Sequence, residues 1–212
     1  MTPIVYLHGF ASSPQSSKAR FFHSRFAEQG IDIQVPRLDQ GNFTDLTISG
    51  QLQVIAGAVG DQPAVLMGSS LGGYLAALFA SRHASIQKLV LLAPAFQFPR
   101  RWRERYAPEQ LAHWKAQGSV PVFHYGYKEE MPLGYQFLED STRYEDEPEF
   151  DQPALILHGL RDPVVPAGIS QQYAARHPNV TLKLLESGHE LTDVLDQLWA
   201  ETAQFLLGPV FR

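Results

Sequence analysis

The chain has 212 residues, 44% hydrophobic and 18% charged, with a formal net charge of −5 and no cysteine. That composition suits one globular domain with a buried central sheet, and it excludes a disulfide scaffold, a thiol nucleophile and a cysteine-based metal site. The negative balance argues against nucleic acid as a partner. Met1 to Leu7 lacks the basic region of a signal peptide, and no window approaches the roughly 20 apolar residues of a membrane span, so a cytoplasmic protein is expected.

In chain order, Ile4-Val5-Tyr6-Leu7 reads as a strand ending at His8-Gly9-Phe10. Ser16 or Ser17 can cap a helix over Lys18 to Gln29, which Gly30 stops. Ile31 to Val35 alternates with period two and is closed by Pro36, a second strand. Leu46 to Val59 has helical spacing, weakened by Gly50 and Gly57. Ala64 to Met67 is a buried strand, and Tyr74 to Ala80 a helix. Lys88 to Leu92, Ala154 to His158 and Thr181 to Leu185 are further buried strands, with a helix near Ser170 to Arg176 and a last one over Thr192 to Leu206. Six strands alternating with helices predict an α/β fold, a mostly parallel sheet with helices on both faces and ligands at the strands' carboxyl ends.

Phe96 to Asp151 breaks the alternation, being dense in aromatics and without a clear strand. A structureless loop of that length is rare in a compact domain, so a small helical lid is expected there, with helices over Pro108–Gln117 and Leu133–Thr142. The acidic run Glu145 to Glu149 reads as a solvated surface turn. The expected organisation is one domain over 1–212 with a lid insertion at about 96–151.

The chemistry concentrates at Gly68-Ser69-Ser70-Leu71-Gly72, a G-x-S-x-G pattern between a strand and a helix. A nucleophilic serine on such a sharp turn needs small neighbours, because strand and helix backbones pass close to it. Ser70 is therefore the candidate nucleophile. A serine hydroxyl needs a base, and the base an orienting carboxylate; in this strand-turn-helix context the acid precedes the histidine in the chain. Asp162, in the turn after Ala154–His158, and His189, in the loop after Thr181–Leu185, have that order and placement. Asp162-Pro163 is also a common turn initiator, and a lone histidine is usually on the surface; the joint placement favours the triad. His158 is expected to pack or hydrogen-bond rather than react. A developing oxyanion needs N–H donors, expected from Leu71 and Phe10, with Ala11 as the alternative to Phe10. Phe96, Phe98, Trp102, Tyr125 and Tyr127 are candidate walls of an acyl pocket. No metal-binding or phosphate-binding pattern appears, so neither a metal nor a cofactor is expected. Arg100 to Arg105 is a basic run, either a solvated face or an attractor for anionic substrates.

These residues together resemble the α/β-hydrolase superfamily over nearly the whole chain. Tyr6-Leu7-His8-Gly9-Phe10, Ser12-Ser13-Pro14, Ser17-Lys18-Ala19 and Gly68 to Tyr74 are similar to the small YqiA-type bacterial esterases. Val122 to Tyr127 and His158 to Pro166 resemble the acyl thioesterases and acyl-glucuronide esterases of the abhydrolase-domain family. The resemblance implies Ser70, Asp162 and His189 as a triad with donors at Phe10 and Leu71, and a small acyl ester or thioester as substrate. It also implies that the two leading strands of larger members are missing before Ile4. A protein-binding module on the same scaffold, or a carbon–carbon bond hydrolase with the same triad, is the alternative.

Overall fold

A computed structural model of the chain describes residues 2–208. The first part runs β1 (Ile4–Leu7), α1 (Ser17–Ala27), β2 (Ile33–Gln34), α2 (Ile48–Val59), β3 (Ala64–Ser69), α3 (Leu71–Ala80) and β4 (Ile86–Leu92). An insertion follows, made of α4 (Phe98–Glu104), α5 (Pro108–Gln117), β5 (Ser119–His124), β6 (Glu129–Gly134) and α6 (Gln136–Ser141). β7 (Ala154–Gly159), α7 (Ala167–Arg176), β8 (Val180–Leu185) and α8 (Leu195–Leu207) then complete the alternation.

Six strands pair in the order β2-β1-β3-β4-β7-β8, every pair parallel. This is the α/β-hydrolase fold expected from the sequence. The chain leaves β1 for β2 and returns to β3 on the other side of β1, so the strand order reverses between β1 and β3. Open parallel sheets bind ligands at such a reversal, beyond the carboxyl ends.

Strand residues alternate between two apolar layers because successive side chains point to opposite faces. Val5, Leu7, Leu66, Leu89, Leu91 and Ile156 share one layer with α2, α3, α7 and the insertion. Ile4, Tyr6, Met67, Val90, Leu92 and Leu157 share the other with Phe22 and Phe26 of α1 and Leu198 of α8. Both faces being covered explains why these strands read as continuous apolar runs.

Helix starts follow side-chain capping: Ser16 Oγ accepts from Ala19 N at 3.4 Å, and Thr47 Oγ1 from Gly50 N at 2.9 Å. The second expected strand is only two residues long. α5 spans the expected residues, whereas α6 is shorter than Leu133–Thr142 because Leu133 belongs to a strand. The insertion also differs from a purely helical lid by carrying the antiparallel β5-β6 hairpin. Pro121 and Pro132, which argue against strands in sequence, lie opposite one another in its register. A two-stranded ribbon tolerates them because each strand keeps one edge without a ladder partner.

The acidic turn is exposed at Glu145 and Glu149, as a surface turn should be, and is also tied down. Glu145 pairs with Arg82 at 2.7 Å, Asp146 with Arg100 at 3.3 Å, and Glu147 with Arg176. Tyr74 donates to Glu145 O and Tyr173 to Pro148 O, fixing the strap to α3 and α7. No helix of the described residues is long and apolar enough to cross a membrane.

Candidate active site

Ser70 sits between β3 and α3 at φ 53°, ψ −116°, a backbone region that side chains rarely adopt. The turn is held from three sides. Ser70 N donates to Leu92 O at 2.9 Å, and Ser70 O accepts from Gly73 N, Tyr74 N and Ala95 N at 2.9, 3.1 and 3.0 Å. The flanking glycines are sterically required: a Cβ on Gly68 would overlap the Gly72 carbonyl, and one on Gly72 would overlap Leu7 O and stand 2.6 Å from His8 O. Six of the seven non-glycine residues with positive φ among the described residues (Ala11, Gln40, Ser70, Ala93, Gln97 and Leu191) follow the carboxyl ends of strands of the main sheet. Backbone strain clusters where a fold holds functional groups.

The three sequence-predicted polar residues come together. His189 Nε2 lies 3.0 Å from Ser70 Oγ, and His189 Nδ1–H donates to Asp162 Oδ2 at 2.7 Å. The parallel pairing of β7 with β8, register Gly159 to Leu185, brings the two loops side by side. A Cβ on Gly159 would overlap the carbonyls of Ser187 and Gly188, so the approach of these loops depends on that glycine. Asp162 Oδ1 accepts Val164 N and Val165 N, both at 2.8 Å. The turn-initiator reading of Asp162-Pro163 thus holds for one oxygen while the other faces His189.

Burial alone would push the Asp162 carboxyl up, but hydrogen bonds from His158, His189 and the Val165 N–H hold it well below the usual carboxylate range. A depressed carboxyl stabilises the fold above its unfolded pKa, about 3.9, and that contribution is lost as pH falls through the folded value. Urea unfolding of wild type and Asp162→Asn should therefore show a stability gap above about pH 4 that narrows as the pH is lowered further.

Lys18 of α1, almost wholly buried, donates from Nζ to Glu190 O at 2.5 Å, with the Glu190 carboxylate at 3.8 Å. Burial lowers its pKa, against the pull of Glu190 and Asp162. This lysine fastens the residue after His189 to α1. Lys18→Met keeps the stem but leaves the carbonyl unpaired, and should cost about 1–3 kcal/mol in chemical denaturation.

The expected oxyanion donors also lie here. Neither Phe10 N–H nor Leu71 N–H has an acceptor among the described residues. Gly9 runs past the sharp β3–α3 turn at Ser70, the elbow of this site, its hypothetical Cβ 3.6 Å from Ser70 Cβ. The loop is buttressed by the hairpin tip: Tyr125 N donates to Ala11 O at 2.8 Å, and Tyr127 Oη to Asp39 Oδ2 at 3.2 Å. Buried His8 donates from Nδ1 to Gly9 O at 3.0 Å and accepts Leu38 N at 3.3 Å, which leaves its ring neutral; burial lowers its pKa further.

The expected pocket walls divide. Phe98 and Trp102 join an aromatic cluster on Phe10: Trp102 lies 4.9 Å from the Phe10 ring and 5.6 Å from that of Phe98. Phe137 and Phe43, which the sequence did not single out, complete it at 5.4 and 5.6 Å from Phe10. Phe96 instead is fully buried, stacked on Tyr173 of α7 at 4.2 Å; it belongs to the core. Tyr125 and Tyr127 sit at the hairpin tip, Tyr125 being 72% exposed. Arg101 of the basic run donates to Val164 O at 2.6 Å, so α4 touches both the Phe10 cluster and the loop of Asp162. A recess of about 670 Å³ between α4 and α5, including Arg100, Arg103 and Tyr106, is not lined by Ser70, Asp162 or His189. No group of three or more His, Asp or Glu among the described residues is placed to hold a metal ion.

A family model described as an uncharacterised protein family, UPF0227, matches residues 3–206. The chain belongs to the UPF0227 family. No curated protein matches it. Among solved structures, this UPF0227 member is similar to alpha/beta hydrolase domain-containing protein 10 from mouse. The two are 20% identical over 96% of this chain and 89% of that one, with a TM-score of 0.79. Est1E from Butyrivibrio proteoclasticus, solved with ferulic acid bound, is 18% identical over 98% of this chain and 88% of its own, with a TM-score of 0.82. MGS-MChE2, an alpha/beta hydrolase enzyme from a sediment metagenome of the lagoon of Mar Chica, is 18% identical with a TM-score of 0.65, covering 96% and 91%. At these identities the likeness is one of fold.

Proposed function

We propose that this UPF0227 protein is a serine hydrolase of carboxylic esters or thioesters, built as one domain with the α4–α6 insertion as its lid. The reading rests on one observation above all: the hydrogen-bonded line from Ser70 through His189 to Asp162 at 3.0 and 2.7 Å. In it Ser70 Oγ attacks the acyl carbonyl while His189 Nε2 takes its proton, and Asp162 fixes the Nδ1–H tautomer and stabilises the imidazolium. The oxygen that becomes negative is held by the N–H groups of Phe10 and Leu71. His189 then protonates the leaving alcohol or thiol, and water releases the acid by the reverse sequence. The apolar end of the substrate lies against Phe98 and Trp102, beside the Phe10 donor. Est1E, bound to ferulic acid, supports a carboxylic acid as product class.

Stoichiometric labelling by a fluorophosphonate, mapped to Ser70, tests the nucleophile, and p-nitrophenyl esters and acyl thioesters of graded length test the reaction. Folded protein that neither labels nor turns over any of them would mark a binding module instead.

A further inference from the structure

The line of hydrogen bonds does not stop at Asp162. His158, the penultimate residue of β7, has no solvent exposure and places Nε2 3.2 Å from Asp162 Oδ2 and 2.8 Å from Val165 O. Its Nδ1 lies 2.8 Å from Ser170 Oγ in α7, and Ser170 is also fully buried. Proton positions follow from the partners. A backbone carbonyl and an ionised carboxylate can only accept, so Nε2 carries the hydrogen and shares it between them. In a neutral ring Nδ1 is then the acceptor, and Ser170 donates to it.

All four acceptor sites of the Asp162 carboxylate are thereby used. Oδ1 takes two backbone N–H groups, and Oδ2 takes His189 and His158. The first pair fixes the loop; the second fixes where Oδ2 points. His158 also grips the loop through Val165 O, so one ring sets both the backbone and the carboxylate that faces His189.

We propose that His158, held in one tautomer by Val165 O and the Asp162 carboxylate and in place by Ser170, is a positioning residue for Asp162, extending the line to Ser70–His189–Asp162–His158–Ser170. The assignment rests on the reading of Ser70, His189 and Asp162 as a catalytic triad. No group reacts at His158 itself; its part is to hold Oδ2 on the His189 Nδ1–H axis.

The test is the hydrolysis of p-nitrophenyl butyrate by wild type, His158→Phe, His158→Gln, Ser170→Ala and Ser70→Ala, each shown to be folded. His158→Phe keeps ring volume without a donor, and misaiming the carboxylate should lower kcat about 10–100-fold with KM unchanged. His158→Gln, which can still present an N–H to Oδ2, should recover a large part of that loss. Ser170→Ala should lower kcat severalfold and move the low-field proton resonance of the His189–Asp162 bond. Folded His158→Phe with wild-type kcat would overturn the proposal, as would a loss in KM shared equally by the Phe and Gln variants. If His158→Phe does not fold, wild-type kcat and an unmoved low-field proton in Ser170→Ala overturn it. A Ser70→Ala protein that retains activity would sink the triad reading itself; activity lost there but kept in His158→Phe would sink only the role of His158.

Discussion

Ser70→Ala is expected to lower kcat for p-nitrophenyl esters by on the order of 10⁶, because the members of a Ser-His-Asp unit act together. The variant should fold. Ser70 Oγ makes one contact, 3.0 Å from His189 Nε2, and the backbone bonds that hold the turn come from its N and O. Alanine meets the same φ of 53° with a side chain no larger than serine. KM should change little, since the Phe10 aromatic cluster and the backbone donors stay in place. Fluorophosphonate labelling should vanish with it. Retention of more than about a tenth of wild-type kcat would end the covalent mechanism, since the oxyanion donors and binding alone leave only about 10³–10⁴ over water.

Gly72→Ala should produce the second largest effect, and on stability. The added methyl would overlap the Leu7 carbonyl and stand 2.6 Å from His8 O. Both obstacles are backbone at the end of β1, in a parallel ladder with β3, and cannot turn aside as a flexible side chain would. A loss of about 3 kcal/mol or more is expected, the upper end for overpacking. For a chain of this size that is a fall in Tm on the order of 10 °C. Gly57→Ala gives the opposite sign: a Cβ there meets nothing within 4 Å, and the site lies inside α2. Replacing that helical glycine should stabilise by about 0.5–1 kcal/mol. Thermal unfolding of the two variants beside wild type checks both; a Gly72→Ala protein as stable as wild type would contradict the close passage of β1 past the elbow.

The order of strands and helices was legible because the central strands β1, β3, β4 and β7 are buried on both faces over most of their length and so stand out as short apolar runs. The insertion was harder for three physical reasons. Pro121 and Pro132 hid the hairpin, being tolerated only because a two-stranded ribbon has free edges. Seven-residue α4 is short and has no capping side chain, so the helix gave no signal of its own although Phe98 and Trp102 stood out as aromatics. Leu133 has the apolarity of a helix face but pairs with Val120 in the hairpin. The aromatics could be counted in sequence, yet not sorted. Stacking on Tyr173 puts Phe96 in the core, while Phe43, far upstream of the insertion, joins the cluster on Phe10.

The sequence by itself determined the sheet, the sharp turn at Ser70, and the placement of Asp162 and His189 in loops after successive strands. Those depend on local rules: apolar runs, glycines where backbones cross, and the order of polar residues after successive strands. Tertiary structure alone decided what surrounds that set. Lys18 reaches Glu190 across 172 positions, and the hairpin tip reaches Ala11 across more than a hundred. Even His158, four residues before Asp162 and visible in the same motif, has a partner for its other nitrogen only once α7 has brought Ser170 to it. Local chemistry writes itself into spacing; the direction in which a carboxylate points depends on elements that meet only when the chain has folded.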